Sequence, residues 1–284
     1  MKTKIYLLLL VPFFVSCVKE SLPECPYQYN IQLFVKDKNY FNISSADKVS
    51  EDLPFNKYVS NYYYTLQNAE TGQNVIEPQY IEPAADSETQ SIVFDLLPDG
   101  KYTLTVWGNI NKSRLSPQAL HLNNEEGTDV YVASATLDIV TGVAKDLSLG
   151  LERVKGKLQV SVKNLPETLT KITESISFVH ATVSPFLLYS DKINVKKTFL
   201  KENQSLSILT SNLAPTATDE KSKLILSLFD IQNNLVLETP SVELAIKRNE
   251  ITMLEITYDA TNNVWEIWSF LDNAWVLVNR LDIK

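Results

Sequence analysis

Two cysteines and two histidines in 284 residues leave almost nothing from which a metal site or a nucleophilic triad can be built. No pair of histidines stands at metal-ligand spacing, no Gly-rich loop is present to cradle a phosphate, and no nucleophile elbow occurs. Basic residues are in deficit as well: 26 Lys and Arg against 34 Asp and Glu give a formal charge of −8. A surface of that sign repels phosphate backbones, which argues against a nucleic-acid partner, and it disfavours electrostatic docking on anionic lipid. A transmembrane helix needs roughly 20 apolar residues. The apolar run at the start of the chain, Ile5 to Val15, falls short of that and contains Pro12.

What that opening stretch does contain is the pattern of a bacterial lipoprotein signal. Lys2 and Lys4 precede the short apolar run, the small residue Ser16 follows it, and Cys17 closes it. In such a signal the chain is cut between Ser16 and Cys17, and the cysteine carries the acyl chains, palmitate among them. Phe14 stands where a lipobox more often has leucine, and where an ordinary secretory signal would want a small residue. The sequence therefore predicts a signal peptide over residues 1–16 and a mature protein tied to an envelope membrane through Cys17. Loss of Lys2 and Lys4 leaves 24 basic against 34 acidic side chains, a net charge of −10. With Cys17 acylated, Cys25 is a lone thiol; without acylation the two cysteines are free to close a small disulfide loop.

The 268 residues from 17 to 284 suit two domains of ordinary size. Strand signals dominate them. Runs of β-branched and aromatic residues are broken every dozen or so positions by Pro, Gly, Asn or Asp. Ile31, Leu33 and Val35 alternate with polar neighbours, and Tyr62 to Leu66 is followed by a turn, Asn68 to Gly72, before Val75 and Ile76. The clearest hairpin runs from Ser91 to Trp107 through Leu97-Pro98-Asp99-Gly100. Pro98 fixes φ for the first corner, Gly100 supplies a positive φ, and Tyr102, Leu104 and Val106 share one face of the return strand.

Residues 108–128 are polar and read as a loop. Strand character returns over 130–137 and 145–151. Charge and a glycine at Glu152 to Lys157 then mark a boundary before a fresh strand with Leu158, Val160 and Val162. Further strands are expected at 175–183, 205–210, 223–229, 234–238, 241–247, 250–258, 263–270 and 274–282. Strands so closely spaced, without amphipathic helices between them, predict a mostly β protein of two antiparallel β-sandwiches, over 17–152 and 153–284.

Few residues offer themselves for chemistry. His180 sits in an alternating strand and His121 in a loop, and neither has a catalytic or ligating companion. The acidic pairs Glu51-Asp52 and Glu125-Glu126 read as solvated surface. No catalytic residue, metal ligand or cofactor site is assigned, and the chain does not read as an enzyme. Tyr62 to Tyr64, and Trp265, Trp268, Phe270 and Trp275, suit a stacking platform for sugar rings. Consecutive strand residues point to opposite faces, however, so about half of each cluster must enter a core.

Taken together, several segments resemble the FimB-type fimbrial anchor family of Bacteroidales. They are Leu7 to Cys17, the step Glu24-Cys25-Pro26 into a strand, the hairpin from Leu97 to Gly108, and Val160 to Pro166 opening a second half. The resemblance implies a lipoprotein of two transthyretin-like sandwiches that holds the base of a pilus in the outer membrane, exposed at the cell surface. It implies pilin subunits as partners, joined by β-strand donation into an unfilled groove. Related pilins are implied to lose their lipidated leader by cleavage after an arginine. Here no arginine precedes Arg114, inside the first expected domain, which favours an anchor or accessory subunit over a polymerising shaft subunit. A protease that prefers lysine has Lys48 and Lys57 available. A shaft or tip subunit, and a surface glycan-binding lipoprotein, are the competing readings.

Overall fold

The computed structural model describes residues 28–112, 116–262, 264–271 and 274–282. Ser16, Cys17, Cys25 and Arg114 lie outside them. Strand is the dominant regular structure of the described chain. In chain order the strands are β1 (Gln28–Val35), β2 (Tyr62–Asn68), β3 (Gln79–Ile81), β4 (Thr89–Asp95), β5 (Gly100–Gly108), β6 (Tyr131–Ile139), β7 (Lys145–Arg153) and β8 (Gly156–Lys163). They continue as β9 (Leu169–Val183), β10 (Tyr189–Leu200), β11 (Ile208–Leu213), β12 (Ser222–Asp230), β13 (Leu235–Glu238), β14 (Val242–Leu244), β15 (Ile251–Asp259), β16 (Val264–Leu271) and β17 (Ala274–Asp282). Two single 3-10 turns, Phe55–Lys57 and Leu122–Asn124, interrupt the connections.

Strands β1 to β7 form one sheet in the order β3-β2-β5-β6-β7-β1-β4. β6 and β7 pair only at Tyr131↔Arg153 and Val132↔Glu152, so the sheet folds at that corner into two leaves. Alternation decides what lies between the leaves: Ile31, Leu33 and Val35 from β1 meet Leu66, Leu104, Val106 and Leu151 in one buried cluster. Each fully buried side chain of this size is worth about 1.5–3 kcal/mol relative to exposure.

The second half stacks two sheets, β10-β9-β12-β13, with β14 also on β12, and β11-β8-β15-β16-β17. Their shared core includes Leu158, Val160, Ile172, Leu226, Ile256 and Trp265. Ladders are antiparallel except at β1/β7 and β8/β15, which run parallel. In each half, the strand that opens the half is flanked by one near its end, which only a connection over the sandwich can achieve.

Two local expectations differ from the structure. Val75 and Ile76 lie in the connection before β3 and not in a strand. β10, twelve residues long, has no counterpart among the expected strands. It is an edge strand bearing Lys192, Lys196 and Lys197, and edge strands carry such charge to block further pairing. Gly100 has the positive φ expected of it, 153°, and Leu96 in the same hairpin is left-handed as well, at φ 56°. A Cβ on Gly156 would collide with the carbonyl oxygen of Lys247, so only glycine fits there.

Candidate functional site

β1 begins eleven positions after Cys17, and it is an inner strand, bonded to β4 on one side and β7 on the other. Lys48 and Lys57 are both exposed in the stretch that follows it. Cleavage at either would remove β1 and bare Ile31 and Leu33, both now at 0% exposure, together with the facing core. Among the described residues no helix is long and apolar enough to cross a membrane.

Among the described edge strands, the outer strand of the second half, β17, carries the longest unbroken run of exposed apolar residues. β17 pairs with β16 on one side, and among the described residues no strand pairs with its other edge. Trp275, Val276, Leu277 and Val278 are 43, 45, 44 and 49% exposed, so apolar side chains stand bare on both faces. Opposite Trp268 the register slips and Val278 forms a bulge. Beside it a groove of about 320 Å³ runs between β14 and β15 to β17, lined by Val242, Leu244, Met253, Phe270 and Val278. An edge of this composition can accept backbone hydrogen bonds from an added strand, with the alternating side chains supplying register.

The halves are bound to each other by a buried polar junction and two arms. Arg153, at the end of β7, donates from Nε to Asp129 Oδ2 at 3.0 Å, from Nη1 to Asn249 Oδ1 at 2.7 Å, and from Nη2 to the Tyr131 hydroxyl. Its guanidinium stacks 4.1 Å from the Tyr40 ring centroid. Asp37, just past β1, accepts from the Arg153 backbone N–H and from Arg248 Nη1 at 2.7 Å. Burial pushes the Asp129 carboxyl above its ordinary value in spite of Arg153 beside it.

The first arm continues from Asp37: Asn42 exchanges two 2.8 Å hydrogen bonds with the backbone of Ile251. The second arm is the stretch expected to be a plain loop. Leu120 N–H donates to Ala181 O at 2.9 Å and Val183 N–H to Gln118 O at 3.0 Å. Lys155, at 0% exposure, donates to the carbonyls of Leu120 and Glu126. Glu126 itself accepts from the Asn212 N–H and pairs with Lys197 at 2.5 Å. His121 is a building block of this arm: Nε2 accepts from the Ala214 N–H at 3.1 Å, which leaves Nδ1 as the donor to Glu125 O at 3.0 Å.

The remaining singled-out residues are mostly structural. His180 lies in β9 with Nδ1 near Asp191 O and its ring 5.5 Å from that of Tyr189. Tyr62 and Tyr64 stack on one face of β2 at 6.4 Å, in the first core, while Tyr63 packs against the second. Trp265 is fully buried, Trp268 and Phe270 are half-buried, and Trp275, edge-on to Phe270 at 5.3 Å, is exposed. Glu51 and Asp52 are exposed. Among the described residues no three His, Cys, Asp or Glu side chains gather closely enough to hold a metal ion.

Reading the sequence missed Glu174. It is 1% exposed in β9, with Oε2 lacking a hydrogen-bond partner, and Ser211 beside it makes no bond of ordinary geometry to it. Burial pushes its carboxyl up to about 7. The signal was available: Ile172, Glu174 and Ile176 alternate in phase, which puts the carboxyl on the core face.

No family model matches this sequence, and no curated protein matches it. Solved structures do. The chain is similar to the fimbrial anchor protein Mfa2 from Porphyromonas gingivalis, at 13% identity and a TM-score of 0.51, with 89% of this chain and 99% of that one covered. A fimbrial assembly protein from Parabacteroides distasonis gives 10% identity and a TM-score of 0.51 over 89% of this chain and 99% of its own. A protein from Bacteroides thetaiotaomicron described as polysaccharide-binding gives 12% and 0.56, over 88% and 98%. At such identities the likeness establishes the fold: this chain has, over nearly its whole length, the mostly β architecture of these proteins.

Proposed function

We propose that the chain is a lipid-anchored outer-membrane protein that serves a fimbrium as an anchor or accessory subunit, engages other subunits through strand pairing, and performs no catalysis. The observation that carries this reading is the shared fold over 89% of this chain and 99% of a fimbrial anchor protein. Two features support it independently. The lipoprotein signal ends at Cys17, only eleven positions before an inner strand, so acyl chains on that cysteine would tether a sandwich that keeps β1. A shaft subunit of the kind freed by proteolysis would instead have to lose β1 and its half of the core.

Fractionation tests the tether. In this reading Cys17→Ala moves the protein from the membrane to the soluble fraction and sheds fimbriae into the medium. Full membrane retention with firmly attached fimbriae would sink it.

The partner surface assigned here is the free edge of β17. Lysines at Val276 and Leu277 would place charge on both faces of that edge, the device by which natural edges refuse pairing. Capture of purified fimbrial subunits by the double variant should weaken about tenfold or more, about 1.4 kcal/mol, with the melting temperature held. Unchanged capture would remove β17 from the interface.

A further inference from the structure

We infer that the end of the first half at which β1 begins is a membrane-contacting tip, seated on the headgroup region of a zwitterionic bilayer; this rests on the lipoprotein reading above. Three features meet there. β1 starts with Gln28 opposite Asp95, the last residue of β4, and Tyr29 lies opposite Lys145, the first residue of β7. The chain from Cys17 therefore enters the fold beside the β4–β5 and β6–β7 turns, and eleven residues reach no more than ~40 Å.

Those two turns present apolar side chains to water. Leu96 is 75% exposed, Val140 48% and Val143 47%. Around them a shallow cavity of about 240 Å³ is lined by Tyr29, Leu96, Leu97, Pro98, Ile139 and Val140. Soluble turns of this kind favour Gly, Asn or Asp at left-handed positions, yet Leu96 is held at φ 56° with its side chain outward. Strain of that sort points to a role beyond folding.

The tip is also rigid. Asp99 on one turn accepts both the N–H and the hydroxyl of Thr141 on the other. The Tyr29 hydroxyl accepts from the Val140 N–H at 2.9 Å, and the Tyr102 hydroxyl donates to Pro98 O at 2.8 Å. Fixed turns lose little entropy on docking, so their apolar area converts into contact efficiently.

Charge selects the lipid. Among the described residues, the charged groups on these turns and the adjoining strand ends are Glu70, Asp95, Asp99, Asp138 and Asp146 against Lys101 and Lys145, all exposed. An excess of carboxylates is repelled by anionic headgroups, and an apolar patch ringed by them fits a neutral interface. The junction at Arg153 lies at the opposite end of the same strands, so this seating would point the second half and β17 away from the membrane.

Tryptophan scanning tests the seating. The full chain, purified with its native N-terminus, is combined with phosphatidylcholine vesicles whose acyl chains carry bromine. Leu96→Trp, Val143→Trp and a control at the far end, Ile231→Trp, are each compared with the parent. The expected result is a blue shift and loss of emission for the first two and none for Ile231→Trp. Replacing part of the lipid by phosphatidylglycerol should reduce the loss, and salt should restore it. Should Leu96→Trp not fold, Val143→Trp reports on the same surface.

Palmitate labelling of Cys17, read separately, distinguishes the two claims. Labelled protein with no quenching at Leu96 or Val143 overturns the tip and spares the lipoprotein reading. Quenching on unlabelled protein keeps the tip and overturns that reading. Equal quenching at Ile231, or a blue shift without vesicles that grows with protein concentration, also overturns the tip, the latter assigning the patch to a second copy of the chain.

Discussion

Arg153→Met should lower the free energy of unfolding by about 3 kcal/mol, measured by urea titration at neutral pH. The guanidinium is nearly buried and Asp129 has a quarter of its side chain in water, so the loss falls at the lower end of what breaking a buried pair costs. Asp129 Oδ1 already lacks a hydrogen-bond partner, and without Arg153 the carboxylate would also lose its nearest counter-ion. Asn249 and Tyr131 would each lose a bond as well. A second variant separates the pair from the packing: Arg153→Met combined with Asp129→Leu removes both charges, and should recover part of the loss because no buried charge is left without its counter-ion. A single variant within about 0.5 kcal/mol of the parent would show that the junction does not hold the halves together.

That junction matters for function because it lies between two surfaces with different assignments. In the anchor role proposed above, force would pass from a partner to a bilayer, and any hinge between β7 and β8 would let the halves reorient instead. Arg153 and Lys155, two residues apart, prevent this from opposite sides: one is clasped by the arm through Asp37 and Asn249, the other by the arm through Leu120 and Glu126.

How much of this could be read in advance depended on the range of the interaction. Strands with one buried face, such as β1, β5 and β8, declare themselves by alternation, which is a local property. β10 did not, since an edge strand with lysines on it resembles a loop. The arm at 118–126 was invisible for a different reason. His121 serves a backbone N–H that lies 93 positions away, and nothing in its own neighbourhood signals that partner. The parallel pairing of β1 with β7 is hidden in the same way, because periodicity says which face is buried and not which strand lies alongside. Cys17 is the reverse case: the sequence singles it out through its neighbours, and it lies outside the described residues.

Glu174→Gln should stabilise the protein at pH 8 by up to about 3 kcal/mol and have little effect near pH 4. The sign follows from the proton balance. Burial raises the folded carboxyl from 4.5 to about 7, so between those values the folded state holds a proton that the unfolded state has released. Stability therefore falls as pH rises through that window and stays low above it. Glutamine keeps the shape, carries no charge, and brings an amide donor to the unpartnered Ser211 Oγ. Urea midpoints of parent and variant across pH 4 to 8 would diverge upward if this is right; parallel curves would refute it. The location makes the effect local as well as global. Lys197 and Glu126, whose charges both act on Glu174, are the pair that fastens the second arm, and Asn212, next to Ser211, binds the same Glu126. A carboxylate forming under that fastening competes with Glu126 for Lys197, so the arm should be the first part of the junction to loosen in alkali. Amide exchange over residues 118–126 should accelerate in the parent between pH 6 and 8 beyond the intrinsic rate, and the glutamine variant should suppress that excess.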